Sequence, residues 1–176
     1  MKTYLSIMGI KAPDYGRPEV RAMLSEAHDA LACLRCSIKV GVKFVPAGEF
    51  PGEMPLRRFV AENSPLGLFA AAVHAPDGES CTCPDCSDLR SKVLRLCLAD
   101  AVSRWIESRL HVPEGFRCIL PGIGYPSCPD HTMKAEVLKR IPGSEAIGIT
   151  LSSSTVMSPD ASVCGFIVMH PDAHYL

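Results

Sequence analysis

The sequence predicts an α+β fold with a mostly antiparallel sheet, and the order of its patterned segments leads to this. Apolar residues recur at helical spacing after Pro18 and again over Leu89 to Leu110. Strand patterns occupy residues 37–46, 66–74 and 162–169. These segments do not alternate as regular strand–helix–strand units, so antiparallel pairing is favoured over a parallel sheet. A chain of 176 residues is long enough for one domain with a full core.

A helix is predicted from Pro18 onward, because proline is tolerated in a first helical turn. Its apolar face consists of residues spaced three and four apart, namely Val20, Met23, Leu24, Ala27, Leu31 and Leu34. Ser37 to Pro46 then alternates apolar side chains with lysine and glycine, which predicts a strand with one wet face. Leu66 to His74 is almost wholly apolar and predicts a buried strand. Between them, Leu56 to Asn63 is predicted to form a short helix.

The second half contains the longest helical pattern, Leu89 to Leu110, which has neither proline nor glycine. Its apolar stripe is predicted to comprise Leu94, Leu98, Ala101, Val102, Trp105 and Ile106. Phe116 to Leu120 reads as a short extended segment and Thr132 to Ile141 as a short helix. Two strands, Ala146 to Met157 and Ser162 to Met169, are predicted to follow.

Composition restricts the class of protein. The net charge is −1, so no basic surface indicates binding to nucleic acid or to an anionic membrane. Met1 to Ile10 contains a brief apolar run that is too short for a secretory signal or a membrane span. We therefore expect a cytoplasmic protein. Its nine cysteines are then expected to be free thiols or metal ligands rather than disulfides.

A candidate metal site lies in the segment Cys81-Thr-Cys83-Pro-Asp-Cys86, where three thiols occur within six residues. Cys33 and Cys36 form a second pair near a predicted helix end. Together these thiolates can hold zinc or an iron–sulfur cluster. The alternative is that the thiols bind no metal, because a Cys-x-x-Cys pair within a helix is often coincidental.

The segment Pro121 to His131 is the most constrained part of the chain, with three prolines and two glycines in eleven residues. Each proline fixes its own backbone and restricts the residue before it, while glycine permits close approach of a ligand or another chain. The segment is either a rigid binding loop or a turn-rich connection.

Asp100 is the acidic residue in the middle of the long predicted helix. Helical geometry places Arg104 one turn further on the same face, where the two side chains can form an ion pair. The other interpretation is that the carboxylate points into a functional site. The sequence contains no Gly-x-Gly-x-x-Gly after a strand, no phosphate-binding Gly-x-x-x-x-Gly-Lys-Ser/Thr and no Gly-x-Ser-x-Gly.

One known family has similar motifs. The stretch Gly124 to His131, Gly-Tyr-Pro-Ser-Cys-Pro-Asp-His, resembles the loop Gly-Tyr-Pro-Ala-Cys-Pro-Glu-His of the activation domain of cobalamin-dependent methionine synthase. Leu98 to Val102, Met157 to Gly165 and His170 to Tyr175 are similar to further stretches of that family. The resemblance extends from about residue 66 to the end of the chain.

The resemblance implies a C-shaped α+β fold with a twisted antiparallel sheet and flanking helices. It implies a single domain, with a shorter N-terminal part over residues 1–65 and an S-adenosylmethionine-binding part over residues 66–176. Family members restore methylcobalamin from cob(II)alamin, using an electron from flavodoxin or a similar reductant. No Asp-x-His-x-x-Gly cobalamin motif is present, so cobalamin is expected on a partner protein. The chain would then be a free-standing component of a methyltransferase rather than a complete enzyme.

The resemblance also assigns ligand-binding positions to Asp100, Arg117, Pro121, Gly122, Gly124, Tyr125 and Tyr175. Asp100 stands where the family has a glutamate. Leu120 stands where the family has an arginine suited to grip the ligand carboxylate, and Arg117 is the candidate to replace it. The alternative is a non-enzymatic module that has lost this site and binds a corrinoid protein, or a metal through its cysteines.

Overall fold

The computed structural model describes residues 2–33, 36–50, 56, 60, 64–74 and 89–171. Over these residues the α-helices and strands are, in chain order, α1 (Lys2–Ile7), α2 (Pro18–Cys33), β1 (Ser37–Pro46), β2 (Pro65–His74), α3 (Leu89–Arg109), β3 (Arg117–Ile119), α4 (Met133–Arg140), α5 (Ser144–Ile147), β4 (Thr150–Leu151), β5 (Met157–Ser158) and β6 (Ser162–His170). The predicted α+β class is confirmed.

The main sheet has the strand order β1-β2-β6-β3, and every neighbouring pair is antiparallel. β1 and β2 pair along their whole lengths, from Ser37 opposite His74 to Pro46 opposite Pro65. β2 and β6 are central, so both edges of each strand pair with a neighbouring strand. The strands β4 and β5 form a separate small ribbon.

The central strand β2 is buried on both faces, which explains why its sequence is a continuous apolar run. One face packs Leu66 and Leu68 into a cluster that includes Phe166 of β6 and side chains of α4. The other face packs Phe69 beneath α3, where Val102 belongs to the same cluster. The sheet is therefore a middle layer between α3 on one side and α4 with α5 on the other.

Helices α1 and α2 pack on the N-terminal half of α3. Tyr4, Leu5 and Ala27 form a buried cluster there with Val93 and Leu94. The predicted spacing of α2 is confirmed for its described members, since Val20 and Ala27 are buried and Met23, Leu24 and Leu31 pack against the cluster. Leu34, the last residue of the predicted face, lies outside the described residues.

The stripe predicted for α3 is only partly correct. Leu94, Val102 and Ile106 are buried as predicted, and Leu98 is half-buried. Ala101 and Trp105 are exposed, and Trp105 retains 53% of its accessible surface. Trp105 lies on the flank of the helix, where the guanidinium of Arg109 sits 5.6 Å from the ring centroid. The buried stripe instead consists of the residues that face the sheet and α1. Trp105 was wrongly assigned to this stripe because the prediction relied on the hydrophobicity of its indole ring.

The strand predicted over Ala146 to Met157 is wrong. The segment begins within α5, whose last residue is Ile147 and whose C-cap, Gly148, has the left-handed conformation with φ of +74°. β4 and β5 follow as strands of two residues each. Ile147 of α5, Leu151 of β4 and Met157 of β5 pack against the core, so apolar content was mistaken for one continuous strand.

The strand β1 has the predicted bounds, but its apolar face is not the buried one. Ile38, Val40, Val42 and Phe44 are 36–48% exposed. On the opposite face, a Cβ on Gly41 would lie 2.6 Å from side-chain atoms of both Ile141 and Ile147. Glycine is therefore the residue that lets α5 and the end of α4 approach the strand.

No helix within the described residues is both long enough and apolar enough to cross a membrane. The predicted helix over Leu56 to Asn63 lies almost wholly outside the described residues. Leu56 and Val60 are the exceptions, and both are buried.

Candidate ligand-binding site

A cavity of about 300 Å³ lies between α3 and the segment that follows β3. Asp100 and Ser103, one helical turn apart on α3, form one wall. The other walls come from Ile119, Leu120, Pro121, Gly122, Tyr125, Pro126, Ser127 and Val163. The structure thus brings Asp100 together with Pro121, Gly122 and Tyr125, as expected for a site between the helix and the constrained loop.

The start of the loop is held against β6 by backbone hydrogen bonds. The Phe166 N–H donates to the Pro121 carbonyl at 3.1 Å, and the Ile123 N–H donates to the Cys164 carbonyl at 2.9 Å. Gly165 makes this approach possible, because a Cβ at this position would lie 2.3 Å from the Pro121 oxygen. The first part of the loop therefore continues the sheet edge and has little freedom to move.

A tight turn then positions Tyr125 at the rim of the cavity. The Cys128 N–H donates to the Tyr125 carbonyl, and the Gly124 N–H donates to the Cys128 carbonyl, both at 2.8 Å. Gly124 has a φ of +96°, and a Cβ there would lie 2.6 Å from the His131 ring. Tyr125 remains 57% exposed, so its ring is available to a ligand or a partner.

The end of the loop is anchored to α4. The thiol of Cys128 is fully buried and lies 3.7 Å from the sulfur of Met133. Asp130 accepts hydrogen bonds from the Thr132 hydroxyl at 2.6 Å and the Thr132 N–H at 2.9 Å. These bonds favour the charged carboxylate and lower the pKa of Asp130. Both ends of the loop are thus fixed, which supports the rigid-loop interpretation.

Asp100 fulfils both interpretations derived from the sequence. Its carboxylate forms an ion pair with Arg104 one helical turn away, and its side chain also lines the cavity. The side chain is 41% exposed, and an ion pair of this kind contributes little to stability. The arrangement therefore places a negative charge at the cavity at little cost to the fold.

Leu120 and Arg117 occupy different environments. Leu120 lines the cavity and also packs against the cluster that contains Val102 and Ile106. Arg117 lies on β3 opposite His170 and is exposed. It is not among the described residues that line the cavity. Among the described residues that line the cavity, Asp100 is the one with a charged side chain.

Several predicted site residues lie outside the described residues. These are Tyr175 and the three cysteines Cys81, Cys83 and Cys86, so their placement as ligands stays a prediction. In the part of the chain that the structure describes, no group of three histidine, cysteine or acidic side chains is arranged to hold a metal ion.

The described core cysteines are free thiols embedded in apolar clusters. Burial raises the pKa of Cys164 to about 12 and that of Cys118 to about 11. Such thiols stay protonated near neutral pH, which fits packing residues.

Sequence reasoning missed Ser103, Ile119 and Val163 in the lining and Gly165 beneath the loop. It also left Pro126 and Ser127 unassigned, although both belong to the constrained loop. Ser103 had a usable signal, because it lies three residues after Asp100 in a predicted helix. Val163 and Gly165 belong to β6, and their proximity to the loop depends on strand pairing across a long stretch of sequence. No local pattern could have revealed it.

Comparison with known proteins gives a consistent result. Residues 87–176 match the family described as vitamin B12 dependent methionine synthase, activation domain. A solved structure of the MetH reactivation domain bound to AdoHcy is similar over 99% of this chain and 74% of that chain, with a TM-score of 0.67 and 20% identity. That likeness shows the shared fold, and the family match covers half of the sequence. The chain therefore belongs to the family of vitamin B12 dependent methionine synthase activation domains.

Proposed function

We propose that this protein binds S-adenosylmethionine in the cavity beside Asp100 and supports reductive methylation of cob(II)alamin on a cobalamin-dependent methionine synthase. The observation that carries the proposal is the convergence of Asp100 with the rigid loop around one cavity. The similar MetH reactivation domain was solved with AdoHcy, a ligand of the same class. In this proposal residues 66–176 carry the ligand site and residues 1–65 support it.

The charge of the cavity suits a cationic ligand. The Asp100 carboxylate contributes a negative charge to the lining, and S-adenosylmethionine carries a positive sulfonium. A partly enclosed site strengthens that attraction relative to bulk water. Arg104 forms an ion pair with the Asp100 carboxylate and therefore competes with the ligand for that group.

The remaining lining suits the other parts of such a ligand. Ser103 and Ser127 offer hydroxyl groups, while Ile119, Leu120 and Val163 offer an apolar surface. Apolar walls with a few placed polar groups are typical of cofactor sites. The loop holds its shape through its own hydrogen bonds, so ordering it costs the ligand little binding free energy.

The chain orients the methyl donor and leaves the chemistry to the bound groups. S-adenosylmethionine would supply the methyl group as a methyl-cation equivalent and be left as S-adenosylhomocysteine, and one electron from flavodoxin or a similar reductant would make the corrinoid able to accept the methyl group. In this proposal cobalamin is held by a partner protein, and the lack of an Asp-x-His-x-x-Gly motif in the sequence supports that assignment. Zinc or an iron–sulfur cluster at Cys81, Cys83 and Cys86 stays a prediction.

Isothermal calorimetry with the Asp100→Asn variant tests the proposal. We expect the wild-type protein to bind S-adenosylmethionine with micromolar affinity, and the variant to bind it about tenfold more weakly, because a charge-assisted contact is lost. The neutral S-adenosylhomocysteine should be affected less. The matched control is Glu107→Gln, which removes an acid from the same helix that is not part of the lining.

Equal losses in both variants would contradict a role for Asp100, and no binding to the wild-type protein would refute the proposal. Binding to a corrinoid protein without binding of S-adenosylmethionine would support the alternative function. The observation that favours this alternative is the apolar Leu120 in the cavity wall, at the position where the family has an arginine that can bind the ligand carboxylate.

A further inference from the structure

The strand β1 exposes an apolar stripe at the edge of the sheet. The stripe consists of Ile38, Val40, Val42 and Phe44, each 36–48% exposed. In the sheet order β1 is terminal, so over the described residues its one neighbour is β2. Exposed apolar edge strands promote association with other chains, and proteins usually shorten them or protect them with charge. β1 is ten residues long, and its stripe carries no charge.

The pairing register shows why the stripe is uncovered. Val42 lies opposite Phe69 and Val40 lies opposite Ala71, so these side chains share the face on which α3 packs. Phe69 and Ala71 are fully buried. α3 packs mainly on β2 and β6, which leaves these four side chains of β1 exposed.

The opposite face of β1 carries two positively charged side chains. Lys39 and Lys43 flank Gly41 on that face, where Gly41 is covered by Ile141 and Ile147. The edge therefore presents apolar side chains on one face and two cations on the other. This alternation defines the side chains that a neighbouring strand should carry.

We propose that the free edge of β1 accepts an extended segment of a partner protein, whose side chains alternate between apolar and acidic. Main-chain hydrogen bonds to an exposed edge give affinity in such strand addition, and the alternating side chains give specificity. Apolar residues of the partner would extend the stripe, and its acidic residues would lie beside Lys39 and Lys43.

A second copy of this chain fits the edge less well. Antiparallel self-pairing centred on Gly41 would align most of the strand, but it would place Lys39 of each copy opposite Lys43 of the other. Like charges directly opposite each other destabilise a strand pair. The charge pattern thus favours an acidic partner over self-association.

Nuclear magnetic resonance with two matched peptides tests the inference. The probe is a capped peptide as long as β1 in which valine alternates with glutamate, and the control replaces glutamate with lysine. We expect the acidic peptide to bind the full chain about tenfold more tightly. It should also slow hydrogen exchange of β1 amides. In the double variant Lys39→Glu, Lys43→Glu the preference should reverse.

Absence of binding by either peptide, or equal binding by both, would overturn the proposal. Changes confined to side-chain signals, with no protection of β1 amides, would overturn it in favour of a helix lying on the stripe. Variant Val42→Asp, which places a charge in the stripe, should weaken both peptides. The assay contains no S-adenosylmethionine, so its outcome is independent of the function proposed above.

Discussion

Single residues in this protein serve two purposes at once, and Asp100 is the clearest case. Its spacing to Arg104 predicted an ion pair, and its position in the family motif implied a ligand contact. The structure contains the ion pair and also places the carboxylate at the cavity. A residue-level pattern could define these alternatives, but it could not show that they are compatible.

The buried thiol of Cys164 gives a prediction at this scale. Because burial raises its pKa to about 12, this thiol stays protonated and unreactive at pH 8. We expect iodoacetamide at pH 8 to modify the half-buried Cys97 well before Cys164, as measured by peptide mass spectrometry. Labelling of Cys164 should rise as the pH increases or when the protein is unfolded. Equal labelling rates in the folded protein would contradict this burial.

At the scale of elements, the site depends on how one loop meets one strand. The helices α2 and α3 and the strands β1, β2 and β6 were predicted within one or two residues of their observed bounds, because their periodicity is local. Pairing of Pro121 and Ile123 with β6 was not predictable in this way. It joins segments about forty residues apart, and only the folded sheet brings them together.

Replacing Gly165 with alanine tests that contact. The new Cβ would lie 2.3 Å from the Pro121 oxygen, so the loop must move away from β6. We expect a loss of about 1–3 kcal/mol in the free energy of unfolding, measured by urea denaturation. Binding of S-adenosylmethionine should weaken as well.

The matched control is Gly16→Ala, since a Cβ at Gly16 meets nothing within 4 Å. Its free energy of unfolding should change by less than about 0.5 kcal/mol. If Gly165→Ala were equally neutral, the loop would not depend on close contact with β6.

At the scale of the whole molecule, the two edges of the main sheet carry different surfaces. The β3 edge, extended by the loop, carries the cavity, and the β1 edge carries the apolar stripe. The two central strands separate these surfaces. A ligand at one edge and a partner strand at the other can therefore be bound without competing for the same residues.

Reconstitution tests the whole-molecule function. Mixed with a methionine synthase fragment holding cob(II)alamin, a reduced flavodoxin and S-adenosylmethionine, this protein should accelerate the appearance of the methylcobalamin spectrum. The Asp100→Asn variant should slow it at subsaturating S-adenosylmethionine, because less ligand is bound. An unchanged rate when the protein is omitted would refute the proposed role.

The sequence by itself determined the α+β class, most element bounds and the identity of the constrained loop, because these depend on local periodicity and on motif residues. The tertiary structure decided which faces are covered. It placed Ile141 and Ile147 over Gly41 of β1 and left the apolar side of the strand exposed. It also placed Leu120 in the cavity wall, whereas Arg117 is not among the described lining residues. These outcomes depend on which elements pack against each strand, and packing joins residues that are distant in the chain.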